Sequence, residues 1–149
     1  MALGIHRQPR PTVVEPVGLL DACPGEELSA IAQASRVVDA PAGAVLCEQG
    51  RVALDCMLVE QGRADVLVGG RRVGSIGPGE TIGEMGAVGR APRSATVIAR
   101  ARMRVRVIDA QDLDAVLDRA PTFARALLRE LSARLRDANQ RLPGSRAGR

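Results

Sequence analysis

Residues Gly83–Thr96 read GEMGAVGRAPRSAT, and this stretch decides how the rest of the chain is read. Gly83 and Glu84 open what reads as one short helical turn. A loop with Gly89 and Pro92 follows, and Arg93-Ser94-Ala95-Thr96 leads into a β-like run. The chemistry is that of a site for an anion that also carries hydroxyl groups. Gly83 has no Cβ, so backbone can approach a ligand closely there. The first N–H groups of a helical turn lack intrahelical partners and lie at its positive end, which favours a phosphate. Arg93 supplies a planar fork of donors matched to phosphate oxygens, and Ser94 adds a hydroxyl. Glu84 would repel a phosphate at contact, so its carboxylate suits neighbouring ligand hydroxyls, such as those of a ribose. Singly, a Gly–Glu pair or a loop arginine is usually an ordinary solvated feature. The ordered set is far more specific.

On Gly83-Glu84 and Pro92-Arg93-Ser94-Ala95-Thr96, the stretch resembles the phosphate-binding cassette of the cyclic nucleotide-binding domain family. The resemblance extends over roughly residues 20–142 and is strongest over 43–112. It implies that Arg93 and Ser94 hold the cyclic phosphate and that backbone N–H groups near Gly83, Glu84, Met85 and Ala95 complete its shell. Glu84 would accept from the ribose 2′-hydroxyl. In the family's kinase branch, Ala at the position of Ser94 goes with cAMP and Thr with cGMP. Ser occurs in the bacterial activator branch, which favours cAMP. The resemblance therefore implies cAMP as ligand, with cGMP as the alternative, and no cofactor. Two residues depart from the family pattern. Ile82 stands where Phe is frequent, and Gly86 stands where Ala is usual, at a cost of about 0.5–1 kcal/mol if helical.

Outward from this stretch, the period is two. Residues 36–40, 44–47, 54–61, 63–68, 71–76, 80–82, 95–99 and 102–108 read as short strands, separated by glycine turns at Gly43, Gly50, Gly62, Gly77 and Gly79. Gly69-Gly70 reads as a two-residue hairpin turn. Residues 102–108 alternate most cleanly, with Arg102, Arg104 and Arg106 on one face and Met103, Val105 and Val107 on the other. The arginine row reads as the solvent face of an outer strand. The expected fold is mainly β with flanking helices: an antiparallel β-roll or jelly roll of about eight strands.

Residues 17–35 read as helical, with Pro24 in a first turn and Leu28, Ile31 and Ala32 on one face. Two helices close the chain. Asp109 is the expected N-cap of the first, which shows Leu113, Val116 and Leu117 on one face. Pro121 restarts the second, where Leu128, Leu131, Leu135, Ala138 and Leu142 make an a/d seam. That seam can pack on the roll or pair with a second copy. The last helix also offers Arg134, Asp137 and Asn139 as polar candidates for capping the purine, with solvent-facing positions the expectation for each. The organisation expected is a flexible tail over 1–16, the domain over 17–142 and a basic tail over 143–149.

The chain has 149 residues, a net charge of +4 and one aromatic residue, Phe123. With no aromatic besides Phe123, it lacks the platform on which single-stranded nucleic acid stacks. Cys23, Cys47 and Cys56 show no metal-like spacing with His6, the sole histidine. They read as small apolar residues, reduced in a cytoplasm. No run is long and apolar enough to span a membrane. No nucleophile and base stand in a recognisable pattern, so an enzyme is not expected. The expected function is a cyclic nucleotide sensor that signals by moving its C-terminal helices, through a homodimer or a separate protein effector. No helix-turn-helix follows the last helix, so direct DNA binding is not expected. The alternatives are the ligand-binding fragment of a larger transcription regulator and a degenerate scaffold that binds nothing.

Overall fold

The computed structural model describes residues 6–7, 14, 17–83, 89 and 91–141. Among these residues nine strands are formed: β1 (His6–Arg7), β2 (Ser35–Ala40), β3 (Val45–Cys47), β4 (Asp55–Gln61), β5 (Ala64–Val68), β6 (Arg71–Ile76), β7 (Thr81–Ile82), β8 (Thr96–Ala99) and β9 (Met103–Asp109). Helices α1 (Gly25–Gln33), α2 (Ala110–Arg119) and α3 (Pro121–Arg141) flank them, with a 3-10 turn at Gly18–Leu20. One sheet runs β1-β2-β9-β4-β7 and the other β3-β8-β5-β6, and every pairing is antiparallel. The fold is the expected antiparallel roll with an N-terminal helix and two C-terminal helices.

Two apolar cores follow from the alternation. Met57, Val59, Ile76, Ile82, Val97, Met103, Val105 and Val107 fill the space between the sheets. Cys56, Leu58 and Ile108 point to the other side of the five-stranded sheet. There they meet Ile31 of α1, Leu113 and Val116 of α2, and Phe123 and Leu127 of α3. Aliphatic side chains carry nearly all of this packing, each fully buried one contributing about 1.5–3 kcal/mol. The β5–β6 hairpin turns at Gly69-Gly70 with φ of +58° and +82°, as a type I′ turn requires.

Four local expectations change. The arginine row does not lie on an outer strand, because β9 is the middle strand of its sheet, between β2 and β4. The helices cover the face that carries Arg106 and Ile108, so Arg106 is fully buried. Its charge is met by Glu60 at 3.0 Å and by Ser35 Oγ at 3.1 Å. Arg104 pairs with Asp39 at 3.3 Å, and only Arg102 is exposed. Residues 17–35 do not form one helix: Pro24 is the N-cap of α1, and its extended backbone separates α1 from the 3-10 turn. Asp109 stands at the N-cap of α2 but makes no cap bond, since its carboxylate accepts from Arg36 Nη1 at 2.8 Å. Within 1–16, His6 and Arg7 pair with Asp39 and Val38, and Val14 is buried. Leu142 and the 143–149 tail lie outside the described residues.

Candidate functional site

Arg93 is an 8% exposed arginine at the end of the roll. Its backbone is fixed before its side chain is considered. Arg93 N donates to Arg51 O at 2.8 Å, Gly50 N donates to Arg93 O at 2.9 Å, and Val52 bridges Pro92. This sews residues 91–93 antiparallel to the turn ahead of β4, and so sets Arg93 beside Asp55, the first residue of β4. Nη2 donates to Asp55 Oδ1 at 2.6 Å, and Nη1 donates to the carbonyl of Gly83 at 3.1 Å. These two bonds use one N–H on each terminal nitrogen, and the guanidinium fork carries further donors.

Gly83 is required here twice over. Its φ is +75°, in the region that side chains disfavour. A Cβ at this position would also fall 1.8 Å from Arg93 Nη1. The glycine thus leaves the space that the guanidinium occupies. Ser94 follows Arg93 and is exposed, with its hydroxyl available at the surface. Ala95 is half-buried, and its carbonyl lies 3.5 Å from Cys47 Sγ. The structure therefore brings Gly83 and Arg93 into contact, with Ser94 and Ala95 alongside. Glu84 and Met85 lie outside the described residues.

A cleft of about 530 Å³ opens beside Arg93, where Val45, Val52 and Leu54 share the lining with Glu48, Arg51, Asp55 and Thr96. Val52 and Leu54 are 67% and 71% exposed. A buried cation in a cleft of mixed polar and apolar lining suits an anion that carries a larger group, and the volume falls in the usual range for small-molecule sites.

A family model described as the cyclic nucleotide-binding domain matches residues 37–120, more than half of the chain. The chain belongs to the cyclic nucleotide-binding domain family. A Pycsar effector protein of Burkholderia cepacia, BcPycTIR, is 33% identical over 111 residues, which are 74% of this chain and 37% of that protein. A cyclic nucleotide-gated potassium channel of Rhizobium etli is 32% identical over 97 residues, 65% of this chain and 27% of that one. This cyclic nucleotide-binding domain thus spans well under half the length of both relatives. The crystal structure of the Thermus thermophilus catabolite activator protein, 28% identical, matches with a TM-score of 0.73 over 82% of this chain and 60% of that chain.

Sequence reasoning missed two parts of the site. Asp55 had one weak signal, an acid opening an otherwise apolar strand. The second joins the last helix to β7, the strand that leads to Gly83. Thr81 is fully buried, and its hydroxyl donates to Glu130 Oε2 at 3.1 Å. Arg134 Nη2 donates to the Thr81 carbonyl at 3.1 Å and to Glu130 Oε1 at 3.0 Å. Arg134 therefore does not face solvent as its sequence position suggests. It turns toward the roll because β7 is an edge strand with a backbone carbonyl to satisfy. Asp137 and Asn139 are exposed, as expected.

The leucine seam divides in the same way. Of its residues Leu131 is partly buried, whereas Leu128, Leu135 and Ala138 are exposed, Leu128 and Leu135 by 63% and 59%; the helix meets the sheet instead through Phe123 and Leu127, which stand outside the seam. Among the described residues, no helix is long and apolar enough to cross a membrane.

Proposed function

We propose that this domain is a cAMP sensor whose phosphate site centres on Arg93. One observation carries the reading: an arginine almost wholly withdrawn from solvent, held by a carbonyl and a carboxylate beside a glycine that leaves room for it. Burying a guanidinium is costly unless its donors are used, and the family supplies the anion that would use the rest. The cyclic phosphate takes Arg93 and Ser94. Glu84 takes the ribose hydroxyl, and backbone N–H groups near Gly83, Met85 and Ala95 complete the shell. Ser94 favours cAMP over cGMP on the family pattern. The domain acts as a binding module in the cytoplasm rather than as an enzyme. Its signal leaves through α3, to a second copy or to a protein effector.

Calorimetric titration with cAMP and cGMP tests this. The expected result is saturable binding, tighter for cAMP, that weakens by about tenfold to several hundredfold in Arg93→Ala, because a charge-assisted bond in a buried site is lost. Arg93→Lys rescues little, since a point charge does not replace the fork. Absence of heat and of thermal shift with either nucleotide, in folded protein, leaves the domain as a scaffold.

The exposed Leu128–Leu135 stripe supports pairing of α3 with its copy in a homodimer. Light scattering on Leu135→Glu checks this: the variant runs as a monomer where the parent runs as a dimer.

A further inference from the structure

We propose that Thr81, Glu130 and Arg134 are positioning residues for the phosphate site, forming a polar clasp by which helix α3 holds the turn that presents Gly83 to Arg93. The proposal rests on the nucleotide-binding reading above and assigns these three residues a role in it.

Strand β7 has only two residues, Thr81 and Ile82, and among the described residues one strand neighbour, β4, through Met57 and Leu58. A strand this short on a sheet edge is weakly held by its own ladder. Its open side is met by α3 instead. Glu130 accepts from the Thr81 hydroxyl while Arg134, one helical turn later, donates to the carbonyl of the same residue. The Glu130–Arg134 bond closes the triangle. The hydroxyl and the carbonyl of Thr81 are therefore both gripped from one helix face, although Thr81 and Glu130 lie 49 residues apart.

Two residues beyond Thr81 stands Gly83, whose carbonyl holds Arg93 Nη1. Ile82 between them is fully buried, so the segment cannot swing on its side chain. A displacement of Thr81 by α3 must move the Gly83 carbonyl, and with it the guanidinium. The reverse holds equally: a ligand that fixes Arg93 fixes β7 and favours the clasped position of α3, because coupling between sites is reciprocal.

The test combines Thr81→Val, which keeps the shape and removes the hydroxyl, with Thr81→Ser, which keeps the hydroxyl. Glu130→Gln serves as a second break of the clasp should Thr81→Val fold poorly. Calorimetry with cAMP should show binding weakened about 2- to 30-fold in Thr81→Val, the range for residues on a coupling route, with Thr81→Ser near the parent. Amide hydrogen exchange should show cAMP protecting both residues 79–83 and residues 127–137 in the parent and in Thr81→Ser. In Thr81→Val, protection should no longer reach α3. Unchanged affinity and undiminished protection of α3 in Thr81→Val would overturn the proposal, leaving a packing contact. Should the parent bind no cAMP, the nucleotide reading fails, and ligand-free exchange decides the clasp by itself. Joint loosening of 79–83 and 127–137 in Thr81→Val, absent in Thr81→Ser, supports it, and loosening of α3 alone refutes it.

Discussion

Arg93 and Asp55 form an ion pair at 2.6 Å, with the arginine side chain 7% exposed and the aspartate side chain 20% exposed. The carboxylate occupies part of the fork that a phosphate would also use. On the proposed reading, Asp55 would then act on ligand binding in two opposing ways: it holds the guanidinium in place and would compete for it.

Replacing Asp55 separates these effects. Asp55→Ala leaves a largely buried guanidinium without its carboxylate. Breaking a buried pair costs about 3–5 kcal/mol, and the partial exposure of Asp55 reduces this to roughly 2 kcal/mol. A bound phosphate replaces the missing anion. Thermal unfolding should therefore show a lower Tm for the ligand-free variant and a larger rise with cAMP than in the parent. Equal rises in both proteins would mean that ligand and Asp55 do not share the guanidinium.

Gly83→Ala is expected to disable binding. The left-handed backbone costs an alanine about 1–2 kcal/mol, and its Cβ must displace Arg93 Nη1 from 1.8 Å. The protein should still fold, because the cost falls at one turn. Calorimetry should show cAMP affinity reduced about as far as in Arg93→Ala, with circular dichroism unchanged.

Glu27 holds the start of α3 from across the helix layer. It is 5% exposed and accepts from Thr122 N at 2.9 Å, Thr122 Oγ1 at 2.7 Å and Phe123 N at 3.2 Å. The first N–H groups of a helix need acceptors, and Ala120, the residue before α3, has no side chain to offer one. Glu27→Ala should cost about 2–4 kcal/mol, as buried charge-assisted bonds are lost. Urea denaturation measures it, and Glu27→Gln should recover part of the loss.

Cys23 links stability to alkaline pH. Burial, and then the nearby Glu27 carboxylate, push its thiol from 9.0 up to about 11. The folded state keeps the proton where the unfolded state releases it. The thiol's contribution is therefore complete below pH 9.0 and lost as pH rises through about 11. Unfolding free energy should decline across this window, and Cys23→Ala should flatten the decline. At pH 8 the thiol should react slowly with disulfide reagents, because little thiolate is present.

The sequence by itself determined the strands of the roll from β2 to β9 and their turns, and it marked the stretch that reads as an anion site. Alternation of polar and apolar residues is a local property, and Gly69-Gly70 needs no distant contact to form its turn. Gly83, Arg93 and Ser94 were legible for the same reason: they lie within twelve consecutive positions of one segment. Tertiary structure alone decided which charges were buried and what they met. Asp55 lies 38 residues from Arg93, Glu60 lies 46 from Arg106, Arg134 lies 53 from Thr81, and Glu27 lies 95 from Thr122. Each of these residues, taken alone, reads as an ordinary surface charge. Alternation assigned Arg106 to a face of β9 without revealing that helices cover that face. The repeat in α3 likewise located apolar positions but not which of them would meet the sheet. Periodicity fixes the angle between side chains on one element, whereas burial depends on how the elements pack against each other.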